Sequence, residues 1–125
     1  MTRIAILGCG SIARTMAATL RRMRDGGEAV CLYAAASRNL ETAKAFAARE
    51  GFEAAYGSYE EMVRDPNVDL VYVASPHSHH AEHMKMCIDH GRPVLCEKAF
   101  TGNARQAREM IALAEEKKVF LTEAI

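Results

Sequence analysis

The chain has 125 residues, half of them apolar and 26% charged, and its 16 Lys plus Arg balance 16 Asp plus Glu. That size suits one domain with its own core and leaves no room for two. Zero net charge provides no global attraction to nucleic acid or to an anionic membrane, and no apolar run approaches the roughly 20 residues of a membrane span.

The N-terminus enters an apolar strand within three residues, which leaves no space for a secretory leader. Cys9, Cys31, Cys87 and Cys96 fall inside apolar strands or helices and form no CxxC pair. They read as reduced core thiols of a cytoplasmic protein.

Short apolar runs alternate with longer segments of helical spacing. Residues 4–7 predict a buried strand, and 11–24 a helix with Ile12, Met16, Leu20 and Met23 along one stripe. Arg21, Arg22 and Arg24 fall in its last turn as solvated cations suited to the helix dipole, and Gly26-Gly27 stops it. A strand over 29–36 follows, then a helix over 40–50 with Asn39 as cap and Gly51 as stop. Next come a short strand over 53–56 and a brief helix over 59–64 behind the cap Ser58, closed by Asp65-Pro66-Asn67.

In the second half, 70–74 predicts a strand buried on both faces and 78–90 a helix ended by Gly91. A strand over 94–96 precedes a helix over 103–118, with Ala107, Ile111 and Ala114 inward, and a last strand over 119–121. The methionines read as core filler. Strands that bury both faces and alternate with helices imply an α/β fold, a Rossmann-type doubly wound parallel sheet with helices on both faces. Six strands in this rhythm fit the order 3-2-1-4-5-6, whose ligand crevice lies outside the carboxyl ends of strands 1 and 4.

The stretch "ILGCGSIART" (7–16) places a GxGxxA pattern between the first strand and the first helix. Gly8 permits a tight turn, Gly10 has no side chain to block a pyrophosphate, and Ala13 is small enough for the helix to pack on the strand. The amides near Ser11 and Ile12 then face a negative group. The plainer alternative is an ordinary strand-to-helix corner. The Gly-Lys-Ser/Thr ending of a phosphate-binding loop is absent, so a dinucleotide fits better than nucleotide hydrolysis.

At the end of the second strand an Asp or Glu would hold ribose hydroxyls and repel a 2′-phosphate. This chain has Ala36-Ser37-Arg38 instead. Ser37 is neutral and Arg38 can bind phosphate in a bidentate, charge-assisted way, so NADP is preferred over NAD. A solvated loop arginine is the competing reading of Arg38.

"ASPHSHHAEH" (74–83) carries four of the five histidines. His79 and His83 share a helix face, but no supporting carboxylate or cysteine stands near, so no metal is expected. Ala74-Ser75-Pro76 ends the fourth strand, where His77 and His80 would line the nicotinamide side, although each histidine alone reads more readily as a solvated or capping residue. Glu97-Lys98 ends the fifth strand on the same edge, as a surface ion pair or as a lysine serving cofactor and substrate.

With these residues assembled, the chain resembles the N-terminal part of the glucose–fructose oxidoreductase, inositol dehydrogenase and MocA family (Gfo/Idh/MocA). The resemblance runs through "IAILGCGSIA", "ASRNLETAKAFA", "YGSYEEMVRDPNVDLVYVASPHSHHAEHMKMCIDHGRPVLCEKAF" and "FLTEA". It implies an NAD(P)-dependent oxidoreductase acting on sugars, polyols or related hydroxyl compounds. It implies that Lys98 matches the lysine of the family's Glu-Lys-Pro motif, which contacts nicotinamide ribose and substrate. It further implies that Glu97, Ser75, Pro76 and His80 line the cofactor site, with His77 where asparagine is common.

Two departures stand out. Ala99 replaces the proline of that motif, and the Lys98-Ala99 bond is expected to be trans, since a cis bond there would cost roughly 2.5–4 kcal/mol. The chain also stops at Ile125, where the resemblance implies a second domain carrying most substrate contacts and the oligomer interface. An isolated cofactor domain is therefore expected, one that binds dinucleotide without efficient turnover. A homo-oligomer is left open. The alternative is a non-catalytic NAD(P) sensor, with Lys98 as the residue that separates the two.

Overall fold

The computed structural model describes residues 2–74, 80–96, 104–119 and 121–123, the side chains of 80, 81, 96, 104–107, 109, 110 and 121–123 lying outside the description. Its strands are β1 (Thr2–Leu7), β2 (Val30–Ala36), β3 (Ala54–Tyr56), β4 (Leu70–Val73), β5 (Val94–Cys96) and β6 (Leu121–Glu123). Its helices are α1 (Ser11–Asp25), α2 (Leu40–Glu50), α3 (Tyr59–Arg64), α4 (His80–Asp89) and α5 (Ala104–Lys117). The strands form one sheet in the order β3-β2-β1-β4-β5-β6, every pair parallel. This is the expected doubly wound Rossmann arrangement. Among the described residues no helix is long and apolar enough to cross a membrane.

Because side chains alternate across a strand, each central strand feeds two cores. Ala5, Leu7, Val71 and Val73 pack against Met62 and Val63 of α3, Met84 and Ile88 of α4, and Ala114 of α5. Ile4, Ile6, Leu32 and Tyr72 pack on the opposite face against α1 and α2, where Phe46 is the largest fully buried side chain.

One irregularity interrupts the alternation. The register of β1 on β2 slips between Ile4 and Ala5, whose partners are Leu32 and Ala34. Tyr33 is the extra residue, so Tyr33 and Ala34 both serve the α3–α5 side. No pattern of residue types announced this bulge.

Several sequence expectations need correction. On α1 the buried stripe is Ala13, Ala17 and Leu20, whereas Ile12 and Met23 are exposed and Met16 only half-buried. Two alanines one turn apart let the helix sit close to the sheet, and the larger flanking residues are left at the sides of the seam. On α5, Ile111 is likewise exposed, and Leu113 with Ala114 makes the contact. Arg21 is not a solvated helix-end cation: its Nη1 donates to the Glu50 carbonyl at 2.8 Å and to Glu50 Oε1 at 3.0 Å, joining α1 to α2. His83 is buried, its ring edge-on to Tyr59 with centroids 4.7 Å apart.

The last strand forms at Leu121–Glu123 rather than over 119–121. Val119 is spent on closing α5 instead. The Lys118 N–H donates to Glu115 O at 3.2 Å and the Val119 N–H to Ala114 O at 2.9 Å, with Lys118 at φ 57°. This is a helix stop in the left-handed conformation, and Val119 seals it by packing on the core.

Candidate cofactor site

The strands end in register along one edge. Ala36 of β2 stands beside Leu7 of β1, Leu7 beside Val73 of β4, and Val73 beside Cys96 of β5. One step further out the chains remain linked: Gly8 N–H donates to Ala36 O at 2.9 Å, Ala74 N–H to Leu7 O at 2.9 Å and Ser37 N–H to Tyr56 O at 3.1 Å. Three of the singled-out segments, beginning at Gly8, Ser37 and Ala74, are thus side by side at the carboxyl edge.

Gly8 has φ 110°, a conformation that side-chain-bearing residues rarely adopt, and it turns the chain from β1 towards α1. Gly10 is the N-cap of α1 in extended backbone, and a Cβ there would meet nothing within 4 Å. Packing therefore does not require glycine at this position. The space beside it is open.

The start of α1 differs from those of the next two helices. Asn39 Oδ1 accepts from Thr42 N–H at 3.1 Å and Ser58 Oγ accepts from Glu61 N–H at 3.3 Å, capping α2 and α3. Among the described residues no side chain caps α1, and its first turn holds no acid. Helix geometry leaves the N–H groups of Ser11, Ile12 and Ala13 without intrahelical acceptors, at the positive end of the dipole. Ser11 and Ile12 are exposed while Ala13 is fully buried against the sheet. An anion would satisfy these amides.

Cys9 lies within the same turn, half-buried, with its Sγ donating to Ala36 O at 3.4 Å. Desolvation pushes its thiol up to about 11, with Arg49 pulling more weakly the other way. The thiol therefore stays protonated and helps tie the turn to β2. Its place between two glycines was the only sequence signal for that role.

Ser37 is half-buried, and its Oγ accepts from Asn39 N–H at 3.4 Å. Arg38 is exposed, and among the described residues no hydrogen bond or ion pair holds it. The 37–39 segment carries no carboxylate, so nothing in it would repel a 2′-phosphate. The residues present, open amides at the start of α1 and a neighbouring segment without a carboxylate, fit a dinucleotide.

Ala74 is buried. His80 opens α4, its side chain outside the description. Ser75, Pro76, His77, His79, Glu97, Lys98 and Ala99 lie outside the described residues, and so does the expected trans bond between Lys98 and Ala99.

Residues 2–125 match the oxidoreductase family with an NAD-binding Rossmann fold, Gfo/Idh/MocA. The chain is 57% identical over 70 residues to the D-xylose 1-dehydrogenase (NADP(+)) of Hypocrea jecorina, covering 56% of this chain and 18% of that one. It is 40% identical over 123 residues to the trans-1,2-dihydrobenzene-1,2-diol dehydrogenase of Mus musculus, covering 98% of this chain and 36% of that one. Among solved structures, an NAD-binding oxidoreductase from Klebsiella pneumoniae superimposes with a TM-score of 0.91 at 34% identity, over 98% of this chain and 34% of that one. The chain thus spans about a third or less of the length of these relatives.

Proposed function

The chain belongs to the Gfo/Idh/MocA oxidoreductases as their NAD(P)-binding Rossmann domain, and on that premise we propose that it serves an NADP-preferring dehydrogenase of a sugar, polyol or diol. The carrying observation is the uncapped start of α1 behind Gly10, where free amides and open space coincide. In this reading Gly8, Gly10, Ser11, Ile12 and Ala13 form the pyrophosphate cradle, the backbone N–H groups donating. Ser37 and Arg38 hold the adenosine end, and the Arg38 guanidinium takes the 2′-phosphate.

The nicotinamide, when bound, supplies hydride chemistry at a carbon bearing a hydroxyl or carbonyl. Lys98 carries the proton at the substrate oxygen, and Ala74, Ser75, Pro76, His77, His80 and Glu97 line the nicotinamide side. A small sugar- or polyol-like molecule is the substrate partner, and residues 1–125 form the cofactor domain of a longer, two-domain enzyme. The relatives' activities, a sugar dehydrogenase and a diol dehydrogenase, favour catalysis over a sensor. A reducing, cytoplasmic setting suits the thiols of Cys9, Cys31 and Cys87, none of them in a disulfide.

Titration of NADPH and NADH into the chain, followed by nicotinamide fluorescence, tests the reading. NADPH should bind more tightly, and Arg38→Ala should weaken NADPH while sparing NADH. Tighter NADH binding, with no effect of Arg38→Ala, overturns the NADP preference. Failure of both to bind overturns the cradle.

A further inference from the structure

The segment carrying Arg38 is met by a residue that is not itself part of the proposed cradle. Gly57 follows β3, and a Cβ built on it would stand 2.9 Å from Leu40 Cβ, 3.2 Å from Leu40 Cα and 3.3 Å from Leu40 N. Leu40 is the first residue of α2, two after Arg38. The Gly57 backbone and the first turn of α2 are therefore in direct contact, at a separation only glycine allows. Its φ lies outside the left-handed region, so conformational freedom does not explain this glycine. Close approach does.

The same junction is held on either side. Tyr56 O accepts from Ser37 N–H at 3.1 Å, extending the β2–β3 ladder into the 37–39 segment. The Tyr56 hydroxyl in turn donates to Asp65 Oδ2 at 2.5 Å, anchoring β3 to the end of α3. Ser37 Oγ and Asn39 Oδ1 complete the segment by accepting from Asn39 and Thr42 N–H. Backbone bonds on one side, a cap on the other and Gly57 beneath leave Arg38 as the free side chain on a fixed base.

We infer that Gly57 is a specificity-determining position: by admitting Leu40 to contact, it sets the height at which Arg38 meets the 2′-phosphate of a dinucleotide. A side chain at 57 would have to lift the start of α2, because the obstructing atoms are Leu40 backbone and Cβ rather than a flexible tip. Lifting α2 moves Arg38 away from its ligand while leaving the pyrophosphate cradle on α1 in place. Gly57 acts through Arg38 as a positioning residue. The inference rests on the NADP-binding reading above.

The experiment measures dissociation constants of NADPH and NADH for the chain and for Gly57→Ala, Arg38→Ala and the double variant. Gly57→Ala should lower the NADPH-over-NADH preference about tenfold, the scale of one weakened charge-assisted contact, with NADH affinity retained. In the Arg38→Ala background Gly57→Ala should change the ratio no further. General destabilisation would weaken both dinucleotides together and leave the ratio unmoved. Replacing Leu40 as well, in Gly57→Ala/Leu40→Gly, frees the nearest clashing atom and should restore most of the preference.

If Gly57→Ala does not fold, Tyr56→Phe carries the test: loss of the Asp65 bond loosens the same strand end and should lower the ratio less steeply. A ratio unchanged by a folded Gly57→Ala, or by Tyr56→Phe in its stead, while Arg38→Ala collapses it overturns the inference and leaves the cofactor reading standing. A ratio untouched by Arg38→Ala itself overturns the NADP reading, and this inference falls with it.

Discussion

Arg21 Nη1 and Glu50 Oε1 stand 3.0 Å apart, and the same guanidinium nitrogen also donates to the Glu50 carbonyl at 2.8 Å. Arg49 Nε shares the carboxylate through Oε2 at 2.8 Å. Glu50 is buried although charged, while Arg49 is exposed and Arg21 keeps its bond to the Glu50 carbonyl, so removal of the carboxylate deletes two charge-assisted bonds at the α1–α2 seam. Glu50→Ala is expected to cost about 1.5–2 kcal/mol, the low end for charge-assisted bonds because solvent screens both arginines, read from urea midpoints at pH 7.

The acid dependence of that clip follows from the carboxyl. The Arg49 bond, helped by Arg21, outweighs desolvation and holds the Glu50 pKa below its ordinary value. A depressed folded pKa means stability that is present above the unfolded pKa, near 4.3, and lost as pH falls through the folded value. The stability gap between the native chain and Glu50→Gln should therefore shrink below pH 4. An equal gap at pH 7 and pH 3 would show that the charge contributes nothing.

Asp65 is the second buried carboxyl with structural consequence. Its Oδ2 accepts from the Tyr33 and Tyr56 hydroxyls and its Oδ1 from Asn67 N–H at 2.9 Å. Burial opposes its charge most strongly, yet Tyr56, Asn67 and Tyr33 together keep its pKa low. Asp65→Ala should destabilise by about 2–3 kcal/mol, as expected when a buried carboxylate with several donors is lost. Tyr33→Phe in the Asp65→Ala background should cost much less than Tyr33→Phe alone, and additive losses would show that the hydroxyls do not depend on Asp65.

The sequence reveals the fold more fully than it reveals the site. Apolar runs buried on both faces, caps at Asn39 and Ser58 and stops at Gly51 and Gly91 are local signals, and they predict the order of elements and the sheet. Contacts made at long range are not local signals. Asp65 reads as a turn residue because its partners Tyr33 and Tyr56 meet it only across the sheet. Arg21 reads as a solvated cation because Glu50 is 29 residues away. Val119 reads as a strand because an apolar residue that seals a helix end looks the same as one that starts a strand. At the candidate site, the glycine turn between β1 and α1 was legible from spacing and residue type, whereas the closeness of Gly57 to Leu40 appears only when the chain is folded.

Cys9 offers a chemical test of the turn. With its thiol pushed to about 11, the thiolate share at pH 8 is about 10²-fold below that of an ordinary cysteine. Iodoacetamide should label Cys9 at least that much more slowly in the native chain than in urea, as read by peptide mass spectrometry. A raised pKa stabilises the fold below the unfolded value, near 8.5, and that contribution is lost as pH rises towards 11. Labelling of Cys9 at the rate of a free thiol would show that the turn does not bury it.

Lys118 holds a left-handed conformation, φ 57°, at the stop of α5, where glycine is strain-free. Lys118→Gly is expected to raise stability by about 0.5–1 kcal/mol, seen as a small increase in Tm. A lowered Tm would show that the lysine side chain contributes more than its backbone strain costs.

Gly8 and Gly10 are two residues apart and should fail differently. Gly8 needs φ 110°, so Gly8→Ala should cost about 1–2 kcal/mol of stability through the left-handed penalty. Gly10 sits at φ −91° with open space where its Cβ would be, so Gly10→Ala should fold with an almost unchanged Tm. That space is where the pyrophosphate cradle is proposed, and the methyl group should raise the dissociation constant for NADPH at least about tenfold, or about 1.4 kcal/mol. Loss of binding without loss of stability at Gly10, paired with loss of stability at Gly8, is the signature of a cradle. If Gly10→Ala leaves NADPH affinity intact, the turn is only a corner between strand and helix.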